Sequence, residues 1–267
     1  MSSQIPKSIR DLRILITGAS SGIGAAIAER LAGEGANLGL MGRDGDRLAA
    51  VTERAVAAAA HATAYPGDLT DSAYLSQTIE EFSKANDGID VVIHAAGIGL
   101  RDSYNGAAIE DELDIIDLNM KASMAFLKSV VPVLVDRDWG HFVNLSALGA
   151  YYWAPYQSAY IASKAGFLAY CTSLNYELQC KNVFITNVIF AGVDTPFVDG
   201  RNYETYKKGG KLMHPSKIAD LVVGNLLRPR QNLVMGSPIN YWVSRLSMMA
   251  PSFFQNIIER RNQSPTD

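Results

Sequence analysis

From Arg13 to about residue 236, short runs rich in β-branched residues alternate with longer helical runs, and this alternation leaves few architectures open. Strands are expected at Arg13–Thr17, Asn37–Met41, His61–Tyr65, Asp90–Ala95, His141–Ser146, Asn182–Phe190 and Asn232–Met235. Between them, apolar positions recur at helical spacing over Ile23–Glu34, Asp44–Ala60, Asp71–Lys84, Ile109–Val135, Ser158–Cys180 and Pro215–Leu227. Strands joined by helices of this length call for right-handed crossovers and a parallel sheet covered on both faces, and the near-continuous apolar strands suit such burial. No linker rich in Pro, Ser or charge interrupts the pattern. The expectation is one doubly wound α/β domain over residues 1–236 and an extension over 237–267.

The turn after the first strand carries the first chemical signal. Thr17-Gly18-Ala19-Ser20-Ser21-Gly22-Ile23-Gly24 joins a strand to a helix. Glycine there permits a tight turn and lets backbone N–H groups approach a pyrophosphate, to which the helix N-terminus adds partial positive charge. The strand–turn–helix context required of a dinucleotide site is present, which points to a Rossmann-type fold. At the end of the second strand, an acidic residue would accept from the ribose 2′-hydroxyl of NAD and repel a 2′-phosphate. Here Gly42 and Arg43 stand there instead, and a guanidinium suits a phosphate, so NADP(H) is expected over NAD(H), with the adjacent Asp44 as the counter-argument.

Further along, Tyr160-Ile161-Ala162-Ser163-Lys164 puts a phenol and an ammonium four residues apart on one helix face. A phenol of ordinary pKa, about 10, is a poor base near neutrality. A neighbouring ammonium favours the phenolate, so the pair can exchange a proton with a carbonyl or alcohol oxygen.

The spacing of the glycines (G-x3-G-x-G), the Tyr-x-x-x-Lys pair and a strand ending in serine together resemble the short-chain dehydrogenase/reductase family over roughly residues 12–236. The resemblance implies hydride transfer between a nicotinamide cofactor and a ketone or secondary alcohol. Tyr160 would be the general acid/base and Lys164 its pKa modifier and ribose ligand. Asn119 would support a water relay and Ser146 would polarise the carbonyl. It places Gly18, Ser20, Ser21, Gly22, Ile23, Gly24, Arg43, Asp68, Leu69, Ala95, Ala96, Gly97 and Thr195 around the cofactor, and it implies a homodimer or homotetramer.

The chain departs from the family pattern at three places. His94-Ala95-Ala96-Gly97 stands where relatives have Asn-Asn-Ala-Gly, so the hydrogen bonds of both asparagines must be replaced or lost. After Phe190 the chain reads Ala-Gly-Val-Asp-Thr, one residue shorter than the family's Pro-Gly-x-Val-x-Thr. The family serine lies thirteen residues before the tyrosine, where this chain has Ala147, with Ser146 one residue earlier. A one-residue shift in extended backbone points the side chain to the opposite face. An alignment with a gap makes Ser146 the catalytic hydroxyl; an ungapped one leaves alanine in that place. The altered motifs keep two rivals open: a dinucleotide-binding sensor or scaffold with little redox activity, and the same site used for isomerisation, dehydration or cyclisation.

A segment at about 192–214, with Phe197, Tyr203, Tyr206, Leu212 and Met213 among glycines, reads as a lid over a substrate site, and Tyr151-Tyr152-Trp153 as another wall. These aromatics suggest a bulky apolar carbonyl compound. The apolar tail Tyr241–Arg261 is expected to pack on the substrate site or on a second subunit, since Pro251 breaks any long amphipathic helix.

Composition excludes other classes. A formal net charge of −3 offers no basic field for nucleic acid, and no Cys/His cluster suggests a metal. No window holds the ~18 uninterrupted apolar residues of a membrane span. The N-terminus lacks the pattern of a secretory signal. Cys171 and Cys180 lie on one helix nine positions apart, too far for a disulfide at ~1.5 Å rise per residue. Both are expected to be buried or half-buried thiols, and a cytoplasmic location fits.

Overall fold

A computed structural model describes residues 6–58, 60–197, 212–236 and 238–249. Seven parallel strands form one sheet in the order β3-β2-β1-β4-β5-β6-β7: β1 Arg13–Thr17, β2 Asn37–Gly42, β3 His61–Pro66, β4 Val91–His94, β5 Gly140–Leu145, β6 Val183–Phe190 and β7 Asn232–Met235. The described helices are α1 Gly22–Ala32, α2 Gly45–Ala57, α3 Ser72–Asn86, α4 Ile109–Ile116, α5 Ser123–Asp136, α6 Ser158–Leu178, α7 Pro215–Val223 and α8 Pro238–Met249.

Two apolar layers sandwich the sheet. One is centred on Ile14, Ile16, Ile27 and Leu31 and receives α7, while the other gathers Phe82, Phe126, Phe142 and Phe167. Strands β1, β4 and β5 are buried almost throughout, the reason their sequences lack polar alternation. The expected single-domain Rossmann fold is the one observed. Asp44 and Asp71 cap α2 and α3 through their carboxylates, accepting from Arg47 N–H and from Ala73 and Tyr74 N–H.

The structure corrects several local expectations. The helical run Ile109–Asp136 is interrupted by a π-helical turn at Asp117–Ala122, which the even apolar spacing did not announce. Among the described residues this is the one helical run long and apolar enough to cross a membrane, but in the fold its Phe126, Leu127, Val130 and Leu134 are buried in the second layer. The helix that opens at Pro215 ends at Val223 rather than Leu227. Asn182 is a left-handed cap (φ 54°) rather than the first residue of β6. Cys171 is buried as expected, but Cys180 is exposed, because it falls in a 3-10 turn after α6 has left the core.

The strand order reverses between β1 and β4. In doubly wound sheets ligands occupy the crevice at the carboxyl ends of the strands flanking such a switch point, here beyond Thr17 and His94.

Candidate active site

A cavity of about 910 Å³ opens at that switch point. Its floor is the glycine turn, where Gly18 and Gly22 adopt positive φ of 65° and 55°. A Cβ on Gly18 would lie 2.7 Å from Ala96 N, and one on Gly24 would meet the Gly18 carbonyl oxygen. The turn is therefore closed to side chains at the points where its backbone folds over. Ser21 caps α1 without a side-chain hydrogen bond, so its hydroxyl does not occupy the helix N-terminus. Such an end suits a pyrophosphate.

Of the residues expected around a cofactor, Gly18, Ser20, Ser21, Gly22, Ile23, Gly24, Arg43, Leu69, Ala95, Ala96, Gly97 and Thr195 all line this cavity. Thr195 packs on the turn despite the shortened segment before it: a Cβ on Gly22 would sit 3.2 Å from its methyl group. Asp68 is not among the lining residues. Its carboxylate accepts from the Thr70 N–H (2.8 Å) and hydroxyl (2.7 Å) and lies 3.8 Å from Arg43 Nη1. Partial burial works against ionisation, but the Thr70 hydrogen bonds and Arg43 hold this carboxyl below its ordinary range.

Arg47, which the sequence reading missed, lines the same end of the cavity as Arg43. The four-residue spacing could have signalled it, but it crosses the cap of α2. Asp44 lines the cavity as well; one of its carboxylate oxygens caps α2 through Arg47 N–H (3.0 Å) and the other pairs with Arg47 Nε (3.1 Å).

At the opposite end stand Tyr160 and Lys164, one turn apart on α6, both lining the cavity. Tyr160 meets Phe197 edge to face at 5.7 Å. Lys164 is buried, donates to Leu145 O at 3.3 Å, and burial lowers its ammonium pKa to about 8, the nearby Cys171 working the other way.

Asn119 is buried in the π-turn. Its Oδ1 accepts from Ile98 N–H (2.9 Å), and its Nδ2 donates to Ile98 O (2.8 Å) and Ser163 Oγ (3.2 Å). Ser163 in turn donates to Tyr160 O (2.7 Å). The side chain thus clamps the segment after β4 to α6. Ser146 borders the cavity, but among the described residues its buried Oγ has no hydrogen-bond partner; Ala147 borders the cavity too.

His94 answers what replaces the first missing asparagine. Thr17 Oγ1 accepts from Ala96 N–H (3.1 Å) and pairs with His94 Nδ1 (2.9 Å). Ser123 Oγ donates to Leu118 O (2.9 Å), and so accepts from His94 Nε2–H (2.8 Å). Each donor meets one acceptor, which fixes the neutral Nε2–H tautomer and ties the glycine turn to the π-turn carrying Asn119. Burial, with Lys164 adding repulsion, lowers the His94 pKa to about 3; burial lowers that of His141 to about 4 against its hydrogen bond to Leu226 O.

The sign of the stability effect follows. In the unfolded chain both rings titrate near pH 6.5, so between there and pH 4 the unfolded state binds more protons and stability rises with pH. Each ring should remove about 1.4 kcal/mol per pH unit on acidification through that window. Calorimetric melting at pH 7 and 5 checks this: Tm should fall steeply, and an unchanged Tm would mean that the rings are protonated in the fold.

The substrate end combines several walls. Val193 bridges Met213 in parallel, with Asp194 N–H on Met213 O (2.9 Å) and Met213 N–H on Gly192 O (3.0 Å), so the two ends of the expected lid are held together. Phe197 and Leu212 line the cavity from these ends; Tyr203 and Tyr206 lie outside the described residues. Tyr152 lines it as expected. Trp153 is exposed, and Tyr151 packs instead against Tyr241 of α8 (5.5 Å), with the Arg245 guanidinium 5.2 Å above the Tyr151 ring. Through this contact α8 adds Val243 and Ser244 to the lining. Among the described residues no group of His, Cys, Asp and Glu is placed to hold a metal.

Comparison with known proteins agrees with this geometry. The short chain dehydrogenase family model matches residues 13–205. The chain belongs to the short-chain dehydrogenase/reductase family. It is 30% identical to an uncharacterised oxidoreductase of Staphylococcus epidermidis over 83% of this chain and 93% of that protein. It is also 30% identical to a fatty acyl-CoA reductase of Acinetobacter baylyi over 81% of this chain and 74% of that one. Among solved structures, a dehydrogenase/reductase from Sinorhizobium meliloti superposes with a TM-score of 0.73 at 27% identity, covering 83% of this chain and 92% of that one. One from Mycobacterium marinum, at 21% identity and a TM-score of 0.76, shares the fold. The family establishes oxidoreductase chemistry of this type on a nucleotide cofactor.

Proposed function

We propose that this protein transfers hydride between NADP(H) and a bulky apolar ketone or secondary alcohol. The observation that carries the reading is a single cavity with Arg43 and Arg47 at one end, Tyr160 and Lys164 at the other, and the glycine turn between. The glycine cradle, which side chains would fill, fits the pyrophosphate, and the two guanidiniums suit a 2′-phosphate. Apolar walls from Phe197, Leu212 and Val243 support an apolar substrate, and the Acinetobacter relative, a fatty acyl-CoA reductase, supports an alkyl chain within it.

When bound, the nicotinamide supplies or accepts the hydride. Tyr160 gives its phenolic proton to the carbonyl oxygen in reduction and takes it back in oxidation. The Lys164 ammonium, one turn along α6, favours the phenolate and is placed to hold the nicotinamide ribose hydroxyls. Asn119 keeps the segment after β4 and the start of α6 in register, so that Tyr160 meets the substrate at a fixed height.

The test is NADPH oxidation against a panel of apolar ketones. We expect one NADPH consumed per alcohol formed. Product formed without net NADPH consumption would favour a non-redox reaction, and tight NADPH binding with no turnover of any ketone would favour a sensor.

A further inference from the structure

Reduction of a carbonyl is assisted by two hydrogen-bond donors on its oxygen, one that gives up a proton and one that only polarises. Tyr160 is the first. The second has no hydroxyl at its expected place. Ser146 N–H pairs with Val188 O at 2.9 Å, continuing the ladder of β5, and Ala147 is extended (φ −141°, ψ 153°). Side chains of successive residues in such backbone point to opposite faces. Ser146 Oγ is closed off from solvent, so the cavity side of this step carries the Ala147 methyl group.

One turn before Tyr160 stands Gln157, the N-cap of α6, which lines the cavity. Glutamine is a poor N-cap compared with Ser, Thr, Asp or Asn, and here it makes no capping hydrogen bond. Its main-chain carbonyl accepts from Ile161 N–H at 2.9 Å, but among the described residues its side-chain amide makes no hydrogen bond. Local structure therefore gives no reason for it. Tyr160 is the third residue of α6, so Gln157 stands three residues before it at the same end of the helix, and both residues line the cavity. The amide carries two N–H donors and stays neutral.

We propose that Gln157 donates the polarising hydrogen bond from Nε2–H to the substrate carbonyl oxygen, in place of the missing hydroxyl. The inference rests on the reductase reading above. Hydride adds to the carbonyl carbon, the C–O π pair moves to oxygen, and oxygen takes the Tyr160 proton. Gln157 keeps its protons throughout.

The test crosses Gln157→Leu with Ala147→Ser, using the panel ketone that the unaltered chain reduces fastest, and follows NADPH affinity by fluorescence and folding by thermal melting. Gln157→Leu should lower kcat by about 10²-fold, as removal of such a donor does, with NADPH affinity and Tm unchanged. Ala147→Ser should restore most of that loss, because it returns a donor from the opposite wall. A Gln157→Leu enzyme within about threefold of the parent would overturn the proposal. So would weakened NADPH binding in that variant, failure of Ala147→Ser to rescue it, or a comparable loss in Ser146→Ala. If instead Tyr160→Phe keeps full turnover, or the parent reduces no ketone, the reductase reading itself fails, and the two failures are separable.

Discussion

Replacing Tyr160 with phenylalanine should reduce ketone turnover by about 10³-fold, within the range expected for removing a general acid, while NADPH affinity stays within about twofold. The change deletes one oxygen atom and keeps the ring that meets Phe197 edge to face, so the wall of the cavity survives. Lys164 remains buried against Leu145 O, where it is proposed to hold the ribose. Loss of turnover with intact binding would place proton transfer at the phenol. Lys164→Ala should differ by weakening cofactor binding as well, since the ammonium is proposed to serve both oxygen chemistry and ribose. Full activity in Tyr160→Phe would remove the phenol from the mechanism and leave the conserved-looking spacing with Lys164 as a helix pair only. Stopped measurements of NADPH fluorescence alongside steady-state rates separate the two variants.

How much of this could be read from the residues alone depends on how local each signal is. The glycine turn and the pairing of Tyr160 with Lys164 act within one or two turns of chain, and both are placed as their spacing implied. The π-turn at Asp117–Ala122 was not legible, because the apolar residues around it keep helical spacing while its stabilising partner, His94 through Ser123, arrives from a strand 29 residues before that serine. The sequence left the tail two places, the substrate site or a second subunit, and the contacts of Tyr151 with Tyr241 and Arg245 that bring α8 to the cavity were not legible, since they join segments from either side of two strands. The choice between Ser146 and Ala147 turned on which face of an extended step looks inward. That face is set by the ladder from Ser146 N–H to Val188 O, a partner 42 positions away, rather than by anything in the motif.

Cofactor selectivity gives the second large effect. Changing Arg43 and Arg47 together to alanine should raise the NADPH dissociation constant by about 10²-fold and leave NADH almost unaffected, roughly tenfold from each guanidinium–phosphate contact. Both side chains are more than half exposed, at 63% and 65%, so screening limits each contribution and NADPH affinity in the parent should fall as salt is raised. Neither arginine is locked in a strong competing pair: Arg43 stands 3.8 Å from Asp68, and Arg47 shares Asp44 with the cap of α2. A 2′-phosphate would bring more charge than either carboxylate and would accept from both forks, whereas the 2′-hydroxyl of NADH would offer them little. Ser20 stands at the same strand end, its Oγ 3.1 Å from where a Cβ on Gly42 would be. Equal losses for NADPH and NADH in the double variant would mean that the arginines hold the adenosine or shape α2 and do not read the phosphate. A parent that binds NADH as tightly as NADPH would move the selectivity determinant away from this strand end altogether.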